Sequence, residues 1–421
     1  MKNLRSSVFF PVFILMLNTI WAGPVFSLTD NLEITGWADT IQSIRIHDPN
    51  NTLTSRARLR LETSGYLNEI YGFVSIDAEK NFKIKSETGL DLQEAWAEYA
   101  SGKWDIRLGR QIVIWGKADG IRITDNISPP DYTESVTRDL DEIRMAVDAV
   151  KFRLLGENIT TEFLFIPVFR AAVQPGEGNP WAITVDYPDT LEVSYLAPDE
   201  PDTGISDSEF AMKVSGYFSG MDWAASVFYT WDDDAVMFRD VIETGDTTQI
   251  VFKPQYKRMT VFGLECAVPW SDLVFRGETA FFSGRYFSAG YIFDNPAKKD
   301  SIKWLAGTDW YPGNDWTVTG QITGTKIFDH DPALYADSHE LTATLNISKK
   351  ILRQTITISN MVYYDISAQE YFNRFEVGWD ASDSLNFSVG ADIFEGDTGT
   401  YGQYEQNSQL WFKAKYSFQG Q

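Results

Sequence analysis

The stretch "RARLRLET", residues 56–63, sets Arg56, Arg58, Arg60 and Glu62 at alternate positions, with Ala57, Leu59, Leu61 and Thr63 between them. Successive side chains of a strand point to opposite faces, so this segment has one charged face and one apolar face. Three guanidiniums at i, i+2 and i+4 stand about 6.6 Å apart along a strand, and they repel one another unless carboxylates lie alongside. A soluble sheet with this pattern would turn its arginines to water. A membrane-crossing barrel would turn the leucines to lipid and the arginines to a polar lumen. The rest of the chain decides between the two.

The alternation recurs. "YGFVSIDAEK" (71–80) sets Val74, Ile76 and Ala78 against Asp77 and Glu79, and "VKFRLL" (150–155) sets Val150, Phe152 and Leu154 against Lys151 and Arg153. "LNFSVGADI" (385–393) repeats the pattern near the C-terminus. Eighteen strands are predicted, at 32–46, 53–64, 71–79, 92–100, 104–113, 145–155, 159–168, 207–218, 223–231, 257–268, 273–282, 301–310, 316–323, 338–348, 354–364, 370–380, 385–394 and 407–418. An even count suits a barrel whose two ends lie on the same side of the membrane.

The connections alternate in length. Short turns fall at 101–103, 156–158, 219–222, 269–272, 311–315 and 382–384, and longer polar loops fall near 80–91, 114–144, 169–206, 232–256, 283–300, 324–337 and 395–406. Short periplasmic turns and long extracellular loops are a property of outer-membrane barrels. Trp104, Trp223, Trp270, Trp310, Tyr311 and Trp316 flank the short turns, where amphipathic rings suit the headgroup level.

Composition agrees. The chain of 421 residues has 36 Lys and Arg against 59 Asp and Glu, a formal charge of −23, which argues against nucleic acid as a partner. Aromatic residues are 14% of the chain, including 14 Trp. No apolar run beyond the first thirty residues reaches the ~18 needed for a membrane helix. The single cysteine, Cys266, allows no intrachain disulfide.

The N-terminus reads as a leader: Lys2 and Arg5 precede an apolar run from Val8 to Trp21. Cleavage is expected after Ser27, with Val25 at −3, leaving residues 28–421 as one barrel domain. The chain ends "QLWFKAKYSFQGQ", in which Leu410, Phe412, Ala414, Tyr416 and Phe418 alternate with polar positions. This resembles the C-terminal assembly signal of outer-membrane barrels, except that three residues follow the last aromatic one. The resemblance implies passage through the barrel-assembly machinery.

The lumen expected from the pattern is charged and mixed in sign. Arg56, Arg58, Arg60, Asp77, Glu79, Arg107, Arg110, Lys151, Arg153, Arg276, Glu278 and Arg374 are the candidate pore-lining residues. A bulge near Gly109 would let Arg107 and Arg110 both face inward. Two readings stay open: an ion-paired lumen that stiffens the barrel, or a ladder that orients an anionic solute.

"RLGRQIVIWGKADGIRITDNISPPDY" (107–132) begins as a strand and then departs from one. Pro129 and Pro130 forbid regular continuation of a ladder, and Trp115, Lys117, Asp119, Arg122, Asp125 and Asp131 suit water or a polar lumen rather than lipid. The segment 114–144 is either an external loop or a constriction folded back towards Arg56–Arg60. The three histidines, His47, His330 and His339, have no second ligand at metal spacing and no nucleophile motif beside them. No catalytic residue, metal or cofactor is expected.

Gly109, Arg110, Gln111, Trp115, Gly116, Asn126, Pro129 and Asp131 form a Gly-Arg-Gln, Trp-Gly and Asn-x-x-Pro-x-Asp pattern. It resembles that of a domain-of-unknown-function family of proteobacterial outer-membrane β-barrels. The Gly-Arg-Gln element and the arginine-rich strands are also similar, over less of the chain, to the alginate-export porin family, which has an eighteen-stranded barrel. These resemblances imply an outer-membrane location, contact with lipid and lipopolysaccharide, and passage or handling of a solute. They also imply work beside inner-membrane exporters and periplasmic carriers, which would suit a lipid-like cargo. The expectation is a channel or export component of unknown solute. The alternatives are a non-conducting barrel that partners an exporter and, further off, an outer-membrane hydrolase.

Overall fold

The computed structural model describes residues 32–134, 138–183, 185, 187–244, 247–397 and 399–420. The expected leader, residues 1–27, lies outside the described residues. The described strands are β1 (Leu32–Arg45), β2 (Thr52–Leu67), β3 (Ile70–Asn81), β4 (Gly89–Ala100), β5 (Trp104–Gln111), β6 (Val147–Leu155), β7 (Ile159–Ile166), β8 (Leu191–Tyr195), β9 (Glu209–Phe218), β10 (Met221–Trp231), β11 (Val236–Thr244), β12 (Thr247–Gln255), β13 (Arg258–Trp270), β14 (Leu273–Phe287), β15 (Ala297–Trp310), β16 (Trp316–Ile327), β17 (His339–Ile351), β18 (Ile356–Asp365), β19 (Glu370–Ser382), β20 (Leu385–Glu395) and β21 (Gln409–Gly420).

Eighteen of them form one sheet in which each strand pairs antiparallel with the next in sequence, skipping β8, β11 and β12. β21 then pairs with β1, from Ile34↔Gly420 to Arg45↔Gln409, and the barrel closes with no free edge. All eighteen predicted spans coincide with these strands. Closure is what lets every backbone group find a partner inside a bilayer.

The alternation of "RARLRLET" governs the wall. Leu59 and Leu61 pair with Ala78 and Ile76 of β3 on the outward face, while Arg58 and Arg60 pair with Glu79 and Asp77 on the inward face. Outward leucines such as Leu59, Leu61, Leu108 and Leu264 are exposed, as a lipid-facing surface requires. Trp104, Trp270, Trp310, Tyr311 and Trp316 are exposed beside the short turns.

The remaining three strands form a separate small sheet, with β11 and β12 as a hairpin and β8 added parallel to β12. It corrects the reading of 169–206 and 232–256 as plain loops. β7 stops at Ile166 because Pro167 has no N–H to extend the ladder.

Candidate functional site: an inward-folded segment

Of the chain between β5 and β6, the described residues 112–134 and 138–146 fold into the barrel. Val113, Trp115, Ile123 and Ile127 are buried in one cluster with inward side chains of the wall, including Leu164, Phe228, Met259, Val261, Phe282 and Leu305. Among these partners, Phe228, Met259, Phe282 and Leu305 belong to four strands, β10, β13, β14 and β15.

The polar contacts trace the route. The Ile112 N–H donates to Glu94 of β4 at 2.9 Å. Trp115 Nε1–H donates to Glu162 of β7 at 2.8 Å, and Lys213 of β9 stands 5.6 Å from the same ring. Lys117 reaches Asp222 of β10 at 3.2 Å, its N–H donates to Glu278 of β14, and its carbonyl accepts from Arg276 at 2.6 Å. Asp119 meets Gln321 of β16 through both its N–H (3.0 Å) and its carbonyl (2.8 Å). Tyr363 of β18 donates to the carbonyl of Gly120 at 3.0 Å. The segment has crossed the lumen from the wall at β5 to the wall at β18.

Gly120 takes φ +67°, and a β-carbon there would overlap the Tyr363 hydroxyl, so a side chain would be strained and would clash. Arg122 then donates to the carbonyls of Asp125 (2.8 Å) and Ser128 (2.6 Å), and Arg144 donates to Asp125 at 2.8 Å. Asp131 N–H donates to the Ile143 carbonyl at 2.7 Å, and Pro130 bridges Arg144, so the two limbs of the segment hold each other.

The returning limb ends on the arginine ladder. Glu134 pairs with Arg56, and the two side chains are 1% and 2% exposed, so neither is screened by solvent. Glu142, in the single helical turn Leu140–Ile143, lies 3.0 Å from Arg58 Nη2 and 3.6 Å from Lys413 of β21. Arg58 is also held by both oxygens of Asp39, at 3.1 and 2.7 Å. Arg60 takes no part in this seat; it forks onto Asp77 at 2.6 Å through two bonds. Arg138 bridges Glu134 (3.0 Å) and Glu79 of β3 (3.3 Å). Burial alone would raise the carboxyl of Glu142, but Arg58 and Lys413 hold it below its ordinary range. Arg56 and Arg138 likewise outweigh burial at Glu134.

Arg107, Arg153, Arg276 and Arg374 are paired as well. Arg107 bonds Glu98 at 2.7 Å and lies 3.7 Å over the Trp96 ring. Arg153 bonds Asp105 at 2.8 Å, Arg276 pairs with Asp309, and Arg374 bonds Asp392 at 2.8 Å. Lys151 is buried beside Arg107 in register.

Arg110 departs from expectation. No register shift interrupts β4–β5 or β5–β6 here, so Arg107 and Arg110 fall on opposite faces. Gly109 twists the strand at φ +124° without adding a residue, and Arg110 forks onto Asp148 at 2.9 and 3.0 Å on the outward side.

Sequence reasoning missed Glu134 and Glu142, whose partners on β2 are 78 and 84 residues away, and Arg138, whose wall partner Glu79 on β3 is 59 residues away. It also missed Trp181, buried in the second long connection against Phe394 and Tyr404 with ring centroids 5.9 and 5.4 Å away. Asn179 in that connection donates to the Thr133 carbonyl at 2.9 Å, tying it to the first. His330 Nε2 is 2.8 Å from the Ala336 carbonyl and His339 is 3.0 Å from its neighbour Ser338. Among the described residues, no group of three or more His, Cys, Asp or Glu could hold a metal.

A closed antiparallel barrel of eighteen strands, apolar outside, charged inside and crossed by its own folded-in segment, is the architecture of outer-membrane porin-like proteins. The chain belongs to the family described as protein of unknown function DUF1302, whose profile matches residues 29–420. No curated protein matches it. Among solved structures it is similar to Acinetobacter baumannii OccAB1, with a TM-score of 0.54 and 8% identity, covering 93% of this chain and 96% of that one. Pseudomonas aeruginosa OccK11 gives a TM-score of 0.53 at 8% identity, covering 93% and 96%. The outer membrane channel DcaP of A. baumannii gives 0.46 at 10% identity, covering 94% and 100%. At these identities the likeness is one of fold.

Proposed function

We propose that this protein is an outer-membrane channel or export component in which residues 112–146 set what passes. The observation that carries this reading is the seating of one segment on opposite walls: Asp119 on Gln321, and Glu134 and Glu142 on Arg56 and Arg58. A segment so placed narrows the lumen and lines the narrowed part with fixed charges, which is how channels select. The expected route to the membrane is export on a cleaved leader, assembly by the barrel-assembly machinery, and insertion with lipid and lipopolysaccharide around the leucine face.

The filled lumen also supports a second reading. The connection carrying Trp181 packs against the wall at Phe394, so two segments occupy the interior. That favours a barrel opened only by a periplasmic or inner-membrane transport partner.

Planar bilayers distinguish the two. A folded barrel, shown by heat-modifiable migration on a denaturing gel, should pass a steady current if it is a channel on its own. A folded barrel with no current and no solute flux would reject that reading in favour of the partnered one. The ladder is tested separately, by Arg56→Ala/Arg58→Ala/Arg60→Ala. Unchanged ion selectivity in a folded triple variant would reject it as a conduction element.

A further inference from the structure

The inner wall has two unlike sides. On β21 and β2, Lys413, Arg58 and Arg56 present cations, and Arg56 Nε is buried without a hydrogen-bond partner among the described residues. Across the lumen, β10, β13, β14 and β15 present Phe228, Met259, Val261, Phe282 and Leu305, with Arg276 and Glu278 further along the same face of β14. In the ring of eighteen strands, β2 and β13 stand eight positions apart, close to diametrically opposed.

One segment covers both sides with matching chemistry. Its carboxylates, Glu134 and Glu142, sit on the cations, and its apolar side chains, Val113, Trp115, Ile123 and Ile127, sit on the apolar wall. Its covalent connections to the barrel are at its ends, Gln111 of β5 and Val147 of β6.

We propose that the seat of this segment is a binding site for an anionic amphiphile, a carboxylate on a long hydrocarbon chain, and that Glu134, Glu142 and the apolar side chains are its tethered stand-in. The exchange conserves chemistry at these two sets of contacts, while Glu278, Arg276 and Gln321 exchange their bonds to Lys117 and Asp119 for water. A carboxylate replaces a carboxylate on Arg56 and Arg58, so no buried guanidinium is stranded, and hydrocarbon replaces hydrocarbon on the opposite wall. A cationic amphiphile would strand the arginines. A short carboxylate would leave the apolar wall wet. The inference deepens the channel reading by naming the class of solute, and it uses the same lumen.

The test follows the segment itself. The full chain, in nanodiscs, carries an environment-sensitive dye on Ala118→Cys in a Cys266→Ser background; Ala118 packs against the apolar cluster. Dodecanoate, butanoate and dodecyltrimethylammonium are titrated, with empty nanodiscs subtracted. The expected result is a saturable emission change with dodecanoate, at a midpoint at least tenfold below that of either other probe. Arg56→Gln/Arg58→Gln should raise the dodecanoate midpoint at least tenfold. Glu134→Gln/Glu142→Gln, which keeps the arginines and removes the competitor, should lower it about tenfold.

Equal midpoints for dodecanoate and butanoate would reduce the site to a plain anion site and overturn the proposal. So would equal midpoints for dodecanoate and dodecyltrimethylammonium, or no saturable change in a heat-modifiable barrel. Conductance is measured on the same preparations. Selective binding without current would sink the autonomous channel and leave this inference standing. Current without selective binding would do the reverse.

Discussion

Glu142 Oε1 lies 3.0 Å from Arg58 Nη2, across 84 residues of sequence. The contact joins the returning limb of an inward-folded segment to the strand whose alternation defines the barrel wall. Arg58 is 3% exposed and keeps Asp39 as a second partner, so the pair is buried but not isolated.

Replacing Glu142 by Gln removes one of the two carboxylates on Arg58 and weakens the seat by about 1–3 kcal/mol, the range for a charged hydrogen bond in a buried setting. Because Asp39 remains, the barrel itself should persist. Hydrogen exchange should show lost protection at residues 138–146 with β2 and β3 unchanged. Loss of protection throughout the barrel would mean that Glu142 supports the whole fold instead.

The pH dependence of this seat has a definite sign. The folded-state carboxyl of Glu142 is held below its ordinary value of 4.5, so its contribution is complete above that value and is lost as pH falls through the lower folded one. Protection of the returning limb should therefore be flat from about pH 8 to pH 5 and decline only in stronger acid. A midpoint near neutrality, read by hydrogen exchange, would contradict the arrangement.

Much of this protein is legible in its sequence, and the reason is the period of two. "RARLRLET" states which face of a strand meets lipid, and a closed barrel repeats that instruction at every strand, so the eighteen spans follow. β11 (VMFRDVIET) and β12 (TTQIVFKPQ) do not alternate cleanly, and they form a sheet separate from the barrel sheet, so the period of two does not mark them. Glu134 and Glu142 carried no signal. Nothing local distinguishes them from the other acidic residues, and only the crossing of the lumen brings them to Arg56 and Arg58. Arg110 was misplaced for a different reason: Gly109 marks a twist, and sequence alone does not say whether a residue has been added to the strand there.

Gly120→Ala should unseat the crossing limb. The position combines φ +67° with direct contact to the Tyr363 hydroxyl, a strain of about 1–3 kcal/mol before the clash is counted. Tyr363→Phe removes only the 3.0 Å bond to the Gly120 carbonyl and should cost about 0.5–1.5 kcal/mol. Chemical unfolding in the same detergent ranks the two. Equal stability of Gly120→Ala and wild type would show that the limb does not hold this conformation.

Trp115 anchors the departing limb by its ring and by its 2.8 Å bond to Glu162. Trp115→Phe keeps most of the apolar contact and strands one carboxylate oxygen, whereas Trp115→Ala also opens a cavity and should cost about 3–5 kcal/mol. Thermal unfolding should place Trp115→Ala well below Trp115→Phe. Indistinguishable midpoints would mean that the indole is not packed in the cluster with Phe228 and Val261.

The claim that residues 112–146 control passage is tested most directly by single-channel current in planar bilayers, comparing wild type with Glu134→Gln/Glu142→Gln. Both must migrate as heat-modifiable barrels. Neutralising the two carboxylates frees the returning limb from Arg56, Arg58 and Lys413, and the predicted result is a larger or more frequently open current in the variant. Identical currents from two folded proteins would contradict it.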